Sequence, residues 1–444
     1  MAARGVQEYV AAVSRAVDAK DGEALAALLR VFRPGYPEAV TSGLDHVRVR
    51  VEAPKQLRSL RENSAFNNFS KPAMANPRTS PCAVPCRSHP PQDMARLLSR
   101  VPERLGEMLL PLMQAMAAIQ RHQFTDAFGE MLQAANLFLP VLRNWEGTWA
   151  LPPLHAVVHD LRVLAEKADM EQRAAGKSPD KLKAAASFLM KVFGAIAGKG
   201  PKKVGSLYVA CQLFKIYFKL GTLNLSKSII RVIDSSKGFD DYPARDQVTY
   251  KYYTGRLDVF NDAFLLADEK LGFALRRCHR SRPFNIRRIL RYLIPVRLSL
   301  GHLPSPELLR NHHLQEYEGI VQAMRTGDVR LLRDTLSANE DRFLRAGVYL
   351  LLEKLELHVY RRLIRKIHVL QRAKDPARAH QVRLEVVVRA LAGRGVAVDV
   401  DELEGLVATL IALGFVKGYL SHKSKVVVLS KQDPFPRLTG RVLL

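Results

Sequence analysis

Residues 399–430, DVDELEGLVATLIALGFVKGYLSHKSKVVVLS, carry the pattern from which the architecture can be read. Asp399 stands three residues before Glu402, the spacing of a capping box at a helix N-terminus. Leu403, Leu406, Val407, Leu410 and Ile411 then recur at helical spacing until Gly414 stops the run. Beyond it the period changes: 415–420 and 425–430 are β-rich runs joined by a polar turn at 421–424. Just upstream, Leu384, Val387, Val388 and Leu391 give one face to a helix over about 382–392, and a longer helix is expected from about 340 to 370. Helices running into a β-hairpin are the order of a winged helix.

Further upstream, residues 94–338 read as a succession of amphipathic segments of ~12 to 20 residues. Breaks are expected at 145–153, 198–203, 235–243, 279–283 and 301–306. Helices alternating with short turns over this length imply stacked helical hairpins, an all-α solenoid. At the N-terminus, Val10, Val13, Val17, Leu25, Leu28 and Leu29 predict a helix pair over 5–32, broken at Asp21 and Gly22 and packed on later parts of the chain. Between them, Asn, Ser and Pro crowd a stretch without apolar period, which reads as a linker. The expected organisation is therefore a helix pair in 1–45, a low-complexity linker in 46–93, helical repeats in 94–338, a winged helix in 339–437 and a tail in 438–444.

The chain of 444 residues carries 68 Lys plus Arg against 43 Asp plus Glu, a formal charge of +25, which favours polyanions or acidic partners. Four cysteines, Cys82, Cys86, Cys211 and Cys278, are too few and scattered for a disulfide framework, and no apolar signal core follows the N-terminus. The most apolar stretches, such as 347–357, are interrupted by Glu353, Lys354 and Glu356, so no membrane insertion is expected.

No catalytic constellation emerges, and no cofactor is expected. Residues 194–200 resemble a phosphate loop only superficially, because Gly200 stands where a hydroxyl must reach magnesium. Cys82, Cys86 and His89 lack a second ligand pair at zinc-site spacing, and the adjacent His312 and His313 cannot share a helix face.

The basic residues are more informative. Arg361, Arg365, His368 and Arg372 fall on one stripe of a helix, opposite Val359, Leu363, Ile367 and Leu370. With Lys417, Lys423, Lys425 and Lys431 of the hairpin they form the candidate nucleic-acid set. The helix over 400–411 opens with Asp399, Asp401, Glu402 and Glu404, which repel phosphate, so backbone gripping is expected rather than base reading. Tyr419 has two readings, a base-stacking ring or a ring packed across the hairpin. A second run, Arg276, Arg277, Arg280, Arg287, Arg288 and Arg291, suits an acidic peptide through charge-assisted pairs. The competing reading pairs it internally with Asp240, Asp241, Asp258 and Asp262.

Helical repeats running into a terminal winged helix resemble the PCI family, and long strings carry the resemblance. They are TWALP (148–152), HDLRVLAEKAD (159–169), QLFKIYFKL (212–220), RVIDSS (231–236), VTYKYYTGR (248–256), RCHRS (277–281), RYLIPVRLSLGHLPS (291–305), KGYLSH (417–422) and VLSKQDPFP (428–436). Residues 46–93 depart from the family pattern, as a divergent insertion or an incorrect exon would. The resemblance is to the family's mRNA-export branch and implies a PCI fold whose helical half begins near residue 205. It further implies a non-catalytic subunit of a nuclear-pore-associated transcription and mRNA-export complex, in the nucleus. Its implied partners are a large germinal-centre-associated nuclear scaffold, a small acidic protein shared with the proteasome lid, and RNA or DNA without strong sequence preference. The alternative is a purely structural PCI subunit of a lid, signalosome or translation-initiation assembly.

Overall fold

In the computed structural model each expected break falls at a junction between two helices. The structure describes residues 2–32, 98, 101–198, 200–236 and 238–438. The linker expected in 46–93, with Cys82, Cys86 and His89, lies outside the described residues, as does most of the 438–444 tail. The chain forms two compact units, 1–226 and 227–444.

The first unit contains α1 (Ala2–Asp18), α2 (Gly22–Leu29), α3 (Glu103–Gln120), α4 (Phe124–Asn144), α5 (Leu151–Ala174), α6 (Lys181–Ile196) and α7 (Ser206–Leu220). Consecutive helices from α3 to α7 pack on one another, and α2 lies on α5. Asp21 caps α2 by accepting from the Ala24 amide. Gly22 is required there, because a Cβ would come within 2.0 Å of the Trp149 carbonyl oxygen. The buried Asp160 of α5 then holds the end of the pair, accepting from the Val31 amide at 2.9 Å and pairing with Arg30 at 3.1 Å.

The second unit runs through α8 (Ser226–Asp234), α9 (Ala244–Phe260), α10 (Phe264–Arg277), α11 (Pro283–Ser299), α12 (Pro306–Asn311), α13 (Glu318–Thr326), α14 (Val329–Ala338), α15 (Glu340–Ala346), α16 (Tyr349–Glu353) and α17 (Glu356–Lys374). It ends in β1 (Gln381–Arg383), α18 (Leu384–Ala392), α19 (Val400–Ala412), β2 (Gly418–Ser421) and β3 (Val426–Leu429). The antiparallel sheet has the order β1-β3-β2. One apolar core extends from Val259 and Phe264 through Leu352 and Val359 to Val427 and Phe435, so the winged helix is continuous with the repeats before it.

Three local expectations need correction. The long helix over 340–370 is α15, α16 and α17, because Gly347 adopts φ +71° and ends α15, and a Cβ there would meet the Phe260 ring at 2.9 Å. The helix over 382–392 starts at Leu384, with β1 ahead of it; three residues are too few to display an alternation. Asp399 caps α19 through the Val400 amide rather than through the reciprocal box with Glu402.

Candidate nucleic-acid interface

Register assigns the two faces of the small sheet. Val427 lies opposite Val382 and Leu420 and points into the core, as the buried Leu429 does. The alternate residues form the outer face: Gln381 and Tyr419 flank Val428, while Arg383 and Ser421 flank Val426. Tyr419 is 63% exposed on this outer face. An open cleft of about 710 Å³ lies over this face, walled by Gln371, Lys374, Asp375 and Arg378 at the end of α17. Asp375 fixes that wall by accepting from the Ala377 and Arg378 amides at 3.1 and 3.4 Å. Lys374, Arg378 and Arg383 are exposed around the ring. The cleft thus brings these cations and an exposed aromatic ring into one lining, together with Asp375 and Glu385. Arg383 was not singled out from sequence because the strand that turns it toward the cleft was missed, and Lys374 and Arg378 lie at and beyond the end of α17, past the stripe read on that helix.

The predicted basic set is only partly assembled here. Arg365, Arg372, Lys423 and Lys431 are exposed, and Lys417 is exposed with Asp433 at 3.7 Å. Arg361 is not a surface cation: it is 6% exposed and donates to the Phe415 and Pro436 carbonyls. The segment carrying Pro434, Phe435 and Pro436 covers its part of the stripe, and His368 is likewise engaged, with the Ala379 carbonyl. Leu370, expected on the apolar side, is 63% exposed.

Lys425 also departs from its expected role. Its Nζ meets Asp401 Oδ1 at 2.6 Å and Glu404 Oε2 at 2.7 Å, and His422 Nδ1 meets Glu404 Oε1 at 2.7 Å. Hydrogen bonding from Lys425 lowers the pKa of both carboxyl groups, and their bonds raise that of the lysine. The wing tip is thus latched to the acidic end of α19, and its lysine is neutralised in place.

The second arginine run sits on the α10–α11 corner. Arg276, Arg280 and Arg288 are exposed, Arg288 lying 4.6 Å from the centre of the exposed Phe284 ring. Arg287 and Arg291 are half-buried, and the Nε of each lacks a hydrogen-bond partner among the described residues. Arg277 bonds Gln247 at 3.0 Å and lies 3.7 Å from Asp240. Two other expected acidic partners are engaged elsewhere: Asp258 with Lys270 at 2.8 Å and Asp262 with Lys354 at 3.4 Å.

Among the described residues no group of three or more His, Cys, Asp or Glu is placed to hold a metal ion, and no helix is long and apolar enough to cross a membrane.

Comparison with known proteins adds a PCI domain match over residues 336–431, spanning the winged helix. Over 338 residues the chain is 56% identical to Enhanced ethylene response protein 5 of Arabidopsis thaliana, covering 76% of this chain and 82% of that protein. It is 38% identical to PCI domain-containing protein 2 of Xenopus laevis over 343 residues, 75% of this chain and 84% of that one. The Protein CSN12 homolog of Mycosarcoma maydis is 33% identical over 343 residues, 70% of this chain and 75% of that one. With these relatives matched over most of their lengths and a winged helix built on helical repeats, the chain belongs to the PCI domain-containing protein 2 family, a fold of scaffold subunits in protein complexes.

Proposed function

We propose that this chain is a scaffold and nucleic-acid-binding subunit of a nuclear-pore-associated, transcription-coupled mRNA-export complex. The observation that carries the nucleic-acid part is the cleft over the outer sheet face, where Lys374, Arg378 and Arg383 surround the exposed Tyr419. The exposed Arg365, Arg372, Lys417, Lys423 and Lys431 belong to the same reading as further cations. Contacts of this kind hold phosphate without reading sequence. The kinship with PCI domain-containing protein 2 supports the assignment to a complex, and the strings quoted above support its export branch.

Under the same reading, the α10–α11 arginines receive the small acidic subunit, and a large nuclear scaffold is the other partner. Charge reversal of Arg280 and Arg287 then weakens capture of that acidic subunit while leaving helix content unchanged. The latched wing favours a second reading, a structural subunit whose winged helix meets only proteins, because Lys425 and His422 are turned onto α19. Isolation of the tagged chain from nuclear extract, with identification of its co-purifying subunits, separates the two. Export subunits and retained RNA are the expected result; lid, signalosome or initiation subunits without RNA overturn it.

A further inference from the structure

A second opening lies between α10, α11 and the turn after α11. Leu275, Leu290, Leu293, Ile294, Leu303 and Leu308 line a cavity of about 370 Å³. Arg297, His302 and Asp268 supply its polar side. Gly272 of α10 is buried beneath two arginine side chains: a Cβ there would lie 3.4 Å from Arg276 Nη1 and 3.8 Å from Arg297 Nη2. Two guanidinium groups therefore converge over one stretch of backbone. The nearby carboxylate, Asp268, already accepts from Arg297 Nε at 2.8 Å, so cations remain in excess. Arg287 precedes Leu290 by three residues and Ile294 by seven, which puts it on the cavity side of α11.

We propose that this opening takes a linear acidic segment of a partner protein, seating one bulky aliphatic side chain in the cavity and carboxylates on Arg276, Arg287 and Arg297. The inference rests on the reading of the α10–α11 arginines as a contact for acidic protein, and adds an anchor to it. Charge alone steers an encounter; a side chain seated in an apolar pocket selects the partner. The cavity favours peptide over nucleic acid because its apolar lining is aliphatic, and the His302 imidazole is the single aromatic ring among its lining residues.

Fluorescence anisotropy with the full chain tests this, using a labelled acidic peptide with one central leucine and its Leu-to-Ala counterpart. Burial of the leucine beyond the alanine methyl predicts roughly tenfold or more tighter binding of the leucine peptide. Leu303→Asp, at the 40% exposed mouth, abolishes that discrimination and leaves the weak, salt-sensitive affinity for both peptides. Arg276→Glu with Arg287→Glu removes both affinities. Equal binding of the two peptides, with both weakened by the arginine reversals, overturns the anchor while the acidic-surface reading stands. Failure of both peptides to bind overturns the two together. Displacement of the leucine peptide by a short single-stranded RNA, with Leu303→Asp weakening the RNA, makes the opening a nucleic-acid site and ends the proposal.

Discussion

Arg361 holds the C-terminal segment on α17 and the start of the wing at once, through the Pro436 and Phe415 carbonyls. Arg361→Ala strands two buried acceptors and is expected to cost roughly 3 kcal/mol, read from the urea midpoint, with nucleic-acid binding of the folded fraction unchanged. One turn back, His358 donates from Nε2 to the Ser299 carbonyl at 2.9 Å and lies edge-on to Phe415. Burial, with Arg361 adding to it, pushes its pKa down from 6.5 to about 4. The depressed value fixes the sign. Above the unfolded pKa the native state carries no penalty, and as pH falls from 6.5 toward about 4 the unfolded state takes up a proton the folded state refuses. Stability should drop by roughly 3 kcal/mol across that window, and His358→Gln should flatten this component of the urea-derived profile. The stripe holding Arg361 was legible as a helix row. Its burial was not, since the covering residues lie 54 and 75 positions away.

Between elements, α19 and the wing restrain one another through Asp401, Glu404, His422 and Lys425. Replacing Asp401 and Glu404 with Asn and Gln frees Lys425, which lines the cleft, and removes the two anionic groups paired with it. Affinity for single-stranded RNA should rise several-fold and its salt slope steepen by about one unit, measured by filter binding. A different restraint joins α13 to α17: Gly327 adopts φ +75°, and a Cβ there would stand 2.8 Å from the Leu363 amide. Gly327→Ala should cost at least ~2 kcal/mol in a thermal melt, from strain and backbone clash together. Helices and hairpin could be read because period 3.6 and period 2 are local properties. The latch could not, because its ion pairs span 18 to 24 positions and arise only when the hairpin folds back on α19.

Across the chain as a whole, the formal charge of +25 announces a polyanion or an acidic partner but not the place of contact. Folding sorts these cations: Arg361 is buried and Lys425 is paired with Asp401 and Glu404, while Lys374, Arg378 and Arg383 line one cleft with Tyr419. The architecture was readable from the change of period near Gly414 and the turns before it. The cleft depended on β1, whose three residues carry no sequence signal of their own. If this cleft grips phosphate without reading bases, Lys374, Arg378 and Arg383 act on every sequence alike. Filter binding of the full chain to unrelated single-stranded RNA and DNA sequences, across a series of salt concentrations, tests this with Lys374, Arg378 and Arg383 changed together to Ala. Similar weakening is predicted for every sequence, with a log–log salt slope shallower by about two to three units, as each lost phosphate contact releases fewer counterions. Unchanged affinity and slope, or a loss confined to one sequence, would contradict backbone gripping at this cleft.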